Sequence, residues 1–162
     1  MASSPLLEPA DCAVLLVDLQ AGLAFAAGSS DRQALRNAAL AVARTAVAFD
    51  VPVVASTSAS KVYSGPMMPD LQAVLPGVTA IERRSMNVFE DQAALSAIEA
   101  TGRRKLVVAG LLTEACVSFP VLSALAAGYE VFVVGDACGG LTPASHDFAL
   151  RRMEAAGAAM TC

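Results

Sequence analysis

Short apolar runs recur along the chain, separated by Ala-rich stretches whose apolar positions return every three or four residues. The run "CAVLLVDLQ" (12–20) predicts a buried strand ending near Asp18. "SDRQALRNAALAVARTAVAFD" (30–50) predicts a helix, with Leu35, Ala39, Val42 and Ala46 on one face and Ser30 placed to cap its start. "VPVVAST" (51–57) is a second strand, "GPMMPDLQAVLPG" (65–77) holds a short helix with Pro at its edges, and "VTAIER" (78–83) is a third strand. "EDQAALSAIEATG" (90–102) is a helix closed by Gly102. "KLVVAGL" (105–111) and "EVFVVGDA" (130–137) are a fourth and fifth strand. "SHDFALRRMEAAG" (145–157) is a helix and "AAMTC" (158–162) a sixth strand.

Continuous apolar strands separated by helices mean a parallel sheet covered on both faces, an α/β fold in three layers, αβα. Such sheets bind ligands outside the carboxyl ends of their strands, where the strand order switches. Neither G-x-G-x-x-G nor G-x-x-x-x-G-K-[ST] occurs, so the two common nucleotide signatures are missing.

Composition narrows the class. A length of 162 residues suits one domain with a real core. Hydrophobic residues make up 56% and mean hydropathy is +0.57, more apolar than a monomer of this size needs, so a homo-oligomer is expected. A net charge of -4 gives nucleic acid no basic patch. No apolar run reaches the ~18 residues of a membrane span, and no basic segment precedes the first apolar run as in a signal peptide. Cys12, Cys116, Cys138 and Cys162 form no C-x-x-C, which points to free thiols in a reducing, cytoplasmic setting.

The carboxyl-end rule singles out Asp18 after the first strand, Arg83 and Arg84 after the third, and Cys116 after the fourth. A thiol must be ionised to attack, a carboxylate can take its proton, and a guanidinium or a helix N-terminus favours the thiolate. Pro120 requires that a helix begin within about a turn of it or be distorted there, which puts backbone N–H groups near Cys116. His146 is the single histidine, so a multi-histidine zinc site is excluded and any Ser-His or Cys-His pair would have to use it. Each residue type also has an ordinary use: Cys in a core, Asp in a turn, Arg on a surface, His146 on a helix face. Cys12, Cys138 and Cys162 read as structural, and Asp136 as a loop residue. Spacing alone leaves both readings open.

"LLVDLQ", "RRSMNVFED" and "AGLLTEACVSFPVLSALAAGYEVFVVGDACGG" together resemble the isochorismatase-like cysteine hydrolases over residues 12–161. The pattern G-x-x-T-x-x-C-V (Gly110, Thr113, Cys116, Val117) is specific to them. "MNVFED" and "RRMEAAGA" are most similar to the YcaC-related branch. The resemblance implies a six-stranded parallel sheet with helices on both faces, as a single domain over 1–162. It implies a catalytic Asp, Lys and Cys. Asp18 and Cys116 match, while the Lys position holds Arg83, or Arg84 after a one-residue slip. Arginine supplies charge and hydrogen bonds but does not readily give up a proton. The family also places a non-proline cis peptide at Leu111–Leu112 and an oxyanion hole at the N–H groups of Leu112 and Cys116. Its nicotinamidases bind a metal through an Asp-x-His and a further His. The matching stretch "STSASKVYSGPMM" has no His, so neither metal nor other cofactor is expected. The family helix that follows the last strand has no counterpart before Cys162, which implies a shortened form or a partner subunit over that face.

These readings converge on a metal-independent cysteine hydrolase that cleaves a small amide or related C–N bond through a thioester. Gln20, Phe89 and Phe119 are expected to line the pocket. The alternatives are an isochorismatase-type vinyl-ether hydrolase that does not need the Cys, a non-catalytic oligomeric binding or scaffold protein, and a thiol redox sensor.

Overall fold

The computed structural model describes residues 6–162. Strands β1 (Cys12–Val17), β2 (Val53–Ser58), β3 (Ile81–Arg83), β4 (Lys105–Leu111), β5 (Glu130–Gly139) and β6 (Ala159–Thr161) form one parallel sheet in the order β3-β2-β1-β4-β5-β6. The chain builds outward from β1 through β2 to β3, then returns to place β4 on the other side of β1. The order therefore switches between β1 and β4, where a parallel sheet opens a binding crevice.

The helices are α1 (Ala21–Ala26), α2 (Arg32–Ala48), α3 (Pro69–Val74), α4 (Gln92–Ala100), α5 (Ser118–Ala126) and α6 (Pro143–Ala155). Ala13, Leu15 and Val17 of β1 join one core with Ala94 and Ile98 of α4, Val121 and Ala124 of α5, and Met153 of α6. Val14 and Leu16 point the other way, into a core with Leu35, Ala39 and Ala43 of α2 and Leu71 of α3. Every residue of β1 is buried, which explains why the strand is a continuous apolar run. Burying one Leu stabilises by about 1.5–3 kcal/mol, so both faces of β1 hold the site's central strand in place.

Several boundaries differ from the sequence-based expectation. β1 stops at Val17 because Asp18 takes a left-handed backbone (φ 52), unusual for a residue other than glycine. The cap of α2 is Asp31, not Ser30: the Asp31 carboxylate accepts from Ala34 N at 2.9 Å. α1 and a 3₁₀ turn at Val88–Glu90 are additional elements, too short to show a helical period. β5 runs on to Gly139 because its pairing with β4 shifts register between Val108 and Gly110, and exposed Asp136 lies in that irregular stretch. α6 starts at Pro143, ahead of the expected Ser145, behind a Thr142–Ser145 capping box.

On the α2 face, Val14, Val42, Phe49, Val107, Val134 and Cys162 contribute to an apolar groove of about 560 Å³. The groove shares no residue with Asp18, Arg83 and Cys116. Among the described residues, no helix is long and apolar enough to cross a membrane.

Candidate active site

Three strand ends supply the site. Asp18 directly follows β1, and its left-handed backbone turns the chain sharply out of the sheet. Gln20 secures that turn. Its side-chain amide donates to the carbonyls of Ser58 (3.0 Å) and Gly65, and its Oε1 accepts from Ser58 N at 3.0 Å. Gln20 is fully buried with both ends of its amide engaged. It is therefore a brace for the Asp18 turn rather than an open pocket wall. Gly110 of β4 lies beside the same turn. A Cβ there would sit 2.1 Å from the Val17 carbonyl oxygen, so only glycine lets β4 run this close to the end of β1.

Arg83 ends β3 and points inward, while Arg84 is exposed. The alternation of a strand separates the two, and it is Arg83 that faces the site. Its Nη2 donates to Asp18 Oδ2 and its Nη1 to the Ser85 carbonyl. Its Nε reaches Ser56 Oγ at 3.4 Å. Both side chains of the Asp18–Arg83 pair are completely buried. Ser58 Oγ donates to the same Asp18 oxygen at 2.9 Å. Asp18 Oδ1 is buried without an aligned hydrogen bond.

Cys116 sits in a single π-helical turn, Thr113–Val117, between β4 and α5. The turn follows a cis peptide at Leu111–Leu112. The Leu112 carbonyl accepts from Ala115 N (3.1 Å) and Val117 N (3.2 Å), and Ser118 Oγ donates to the Thr113 carbonyl at 2.7 Å. Pro120 falls in the first turn of α5, where its missing N–H leaves no helical bond unmade. Both options left open by Pro120 are realised: the helix starts near it, and a wide turn precedes it.

The half-buried Cys116 thiol interacts with both the Asp18 carboxylate and the Arg83 guanidinium. Burial pushes the thiol up from its ordinary pKa. A hydrogen bond from Arg83 pulls it down, and the negative charge of Asp18 pushes it up again. Burial likewise raises the Asp18 carboxyl, against the opposing pull of Arg83, Ser58 and Cys116. The arrangement sets a thiol pushed up by burial against a carboxyl that burial also pushes up. Cys138 gives the contrast. It is fully buried, its thiol is pushed up to about 12 by burial, and it belongs to the core. Cys12 is also buried and Cys162 is exposed.

Phe89, Phe119 and His146 have contacts and burial of their own. Phe89, in the 3₁₀ turn, sets its ring edge-on to Tyr129, with centroids 5.8 Å apart. Phe119 is half-buried in the first turn of α5. His146 is not a free surface residue, because its Nδ1 lies 2.8 Å from Thr113 Oγ1 and burial lowers its pKa. Ser56, Ser58 and Ser85 serve the charged pair but were not expected from the sequence. Serine in a strand is unremarkable by itself, although Ser58 ends β2 and the carboxyl-end rule covers it as well as Asp18. Among the described residues, no group of three or more His, Cys, Asp or Glu is placed to hold a metal ion.

Residues 12–162 match the Isochorismatase domain model. The probable hydrolase YcaC of Escherichia coli is 38% identical over 153 residues, 94% of this chain and 74% of that protein. The crystal structure of E. coli YcaC, described as an octameric hydrolase of unknown specificity, superposes with a TM-score of 0.94 at 37% identity, covering 99% of this chain and 79% of that one. YcaC from Pseudomonas aeruginosa, solved with hexane-2,5-diol and covalent acrylamide, gives a TM-score of 0.95 at 38% identity, with 99% and 80% covered. Fold, domain match and near full-length similarity agree: the chain belongs to the isochorismatase family of hydrolases, in the branch related to YcaC.

Proposed function

We propose that this protein is a cysteine hydrolase of small amides or related C–N bonds, with Asp18, Arg83 and Cys116 as its catalytic group. The observation that carries the reading is the fully buried Asp18–Arg83 pair with the Cys116 thiol against it. In the first step Asp18 takes the thiol proton and the sulfur attacks the substrate carbonyl carbon, forming a C–S bond. The carbonyl oxygen becomes an oxyanion, held by the backbone N–H groups of Leu112 and Cys116. As the tetrahedral intermediate collapses, the C–N bond breaks and the proton on Asp18 passes to the departing nitrogen. A water deprotonated by Asp18 then attacks the thioester. The C–S bond breaks, the acid leaves, and the thiolate recovers a proton.

Arg83 holds charge through these steps. Its guanidinium remains protonated, so it stabilises the carboxylate and the thiolate without shuttling a proton. The cycle needs no metal, because Arg83 and the backbone N–H groups supply the positive charge. Phe89 and Phe119 are proposed as apolar neighbours of the substrate, which is a small molecule. We place the protein in the cytoplasm, as a homo-oligomer like octameric E. coli YcaC.

Acrylamide adds to thiols, and P. aeruginosa YcaC carries it covalently. The test follows from that chemistry. Acrylamide should label Cys116 in the folded protein while sparing buried Cys12 and Cys138. A panel of small aliphatic and aromatic amides should then release ammonia or amine, with an acyl group trapped on Cys116 by acid quench and read by mass spectrometry. Amide turnover that persists in Cys116→Ala would exclude the thioester route.

A further inference from the structure

The turn that carries Cys116 is tied at two points to the β5–α6 connection and the first turn of α6. Glu114 Oε1 accepts from Leu141 N at 2.9 Å and from Ser145 Oγ at 3.2 Å. Thr113 Oγ1 lies 2.8 Å from His146 Nδ1. Ser145 Oγ also accepts from Thr142 N at 3.1 Å, within the capping box of α6, so the Glu114 carboxylate is built into the cap of a helix to which it does not belong. An anion there also meets the positive end of the α6 dipole. Gly140 makes the approach possible. A Cβ at this position would stand 2.7 Å from Glu114 Oε2 and 3.0 Å from His146 Cβ. The β5–α6 connection is itself anchored: Gly140 N donates to Ser29 Oγ at 2.9 Å, and the Gly140 carbonyl accepts from Gly28 N (3.0 Å) and Ser29 N (3.2 Å).

We infer that Glu114 is a positioning residue, whose carboxylate pins the Cys116 turn to the cap of α6 and so sets where the thiol meets Asp18. Without the Glu114 carboxylate, the bond from Thr113 to His146 would remain as a tie from the turn to α6, and the part of the turn nearer Cys116 would be less firmly held relative to β1. A displacement of about 1 Å at a reacting atom can cost roughly a hundredfold in rate. The role of Cys116 as nucleophile rests on the function proposed above, whereas the clamp itself is a statement about the turn.

The experiment compares Glu114→Ala, Glu114→Gln and Gly140→Ala with the parent chain in two readouts: amide hydrogen exchange over residues 112–118, and the pH profile of Cys116 labelling by iodoacetamide. Glu114→Gln keeps an acceptor oxygen for Leu141 N and should retain both. Glu114→Ala should speed exchange in the turn by at least about tenfold while β1 and β4 exchange as before, because a local opening leaves the core intact. Its labelling profile should lose the dependence on Asp18. Gly140→Ala keeps Glu114 but crowds both its Oε2 and His146; it should reproduce both changes, and it still tests the clamp if Glu114→Ala does not fold. Parent-like exchange in both Glu114→Ala and Gly140→Ala would overturn the clamp. A parent Cys116 that labels like a free thiol would count against the proposed function, and the exchange arm would still decide the clamp.

Discussion

Two ion pairs close the two ends of the same sheet. At the amino end, Lys105 Nζ of β4 lies 3.0 Å from Asp11 Oδ2, just ahead of β1, and the Asp11 side chain is 47% exposed. At the carboxyl end, Arg83 meets Asp18, just after β1, and both side chains are fully buried. The amino-end pair keeps one partner in water, and its Lys105 ammonium is raised first by the hydrogen bond to Asp11. It ties the chain entering β1 to the neighbouring strand. The carboxyl-end pair gives up the hydration of both charges, and a buried pair returns little net stability over an apolar replacement. Its Asp18 has a left-handed backbone, and a thiol lies beside the pair. The same kind of contact therefore does two jobs. One end of β1 is fastened at the surface, and the other sets a buried charged pair beside a thiol.

The sharpest way to break this comparison is through the chemistry. Cys116→Ala and Asp18→Asn should each lower amide turnover by roughly 10⁴-fold or more, as for other nucleophile–base sites, with circular dichroism unchanged. A vinyl-ether hydrolase would instead retain turnover in Cys116→Ala and lose it in Asp18→Asn.

Stability comes next. Arg83→Met leaves the Asp18 carboxylate buried and uncompensated, which should cost about 3–5 kcal/mol in urea unfolding. Lys105→Met keeps the stem and leaves Asp11 its access to water, so its loss should be much smaller. Equal losses at the two ends would erase the distinction.

The pH dependence sharpens the account further. Asp18 must be ionised to act as base, and burial raises its pKa, so the acid limb of kcat/KM should lie above the ordinary carboxylate value of about 3.9. The limb should move toward lower pH in variants that open the site to water.

The smallest effect belongs to His146. Burial lowers its folded pKa from 6.5, against the pull of Asp147 and Glu114. The unfolded chain therefore binds the proton more tightly. The contribution of the neutral ring is present above about 6.5 and is lost as pH falls through that value toward the folded pKa. His146→Gln should flatten the stability profile across that window, measured by thermal unfolding at a series of pH values.

Much of the fold was legible because it depends on patterns that tertiary structure does not override. β1, β4 and β5 are continuous apolar runs, and a sheet covered on both faces demands such runs. The period of α2 and Gly102 after α4 marked helices in the same way. Asp18 and Cys116 were found by the carboxyl-end rule together with a specific motif. Choosing between Arg83 and Arg84 needed the direction in which β3 turns its side chains, which the sequence leaves open by one residue. The bracing role of Gln20 was hidden because it depends on backbone carbonyls far along the chain, at Ser58 and Gly65. The tie from His146 to Thr113 joins residues 33 positions apart, and no local pattern reports such a contact. α1 was missed because six residues directly after a strand carry too little periodicity to be seen.

The central claim is that Asp18 activates Cys116. It is tested most directly by the pH dependence of Cys116 alkylation in the parent protein and in Asp18→Asn. Burial and the Asp18 charge hold the thiol up, so a pre-formed thiolate is disfavoured, and reactivity below the free-thiol pKa of ~8.5 has to come through proton transfer to Asp18. The account predicts a parent profile with an acid inflection set by Asp18, in addition to the thiol's own titration. In Asp18→Asn the acid inflection should vanish. The single remaining titration should lie below the alkaline inflection of the parent, because the charge that raised the thiol is gone. Superimposable profiles in the two proteins, or a parent curve with one inflection near ~8.5 like that of a free thiol, would contradict it.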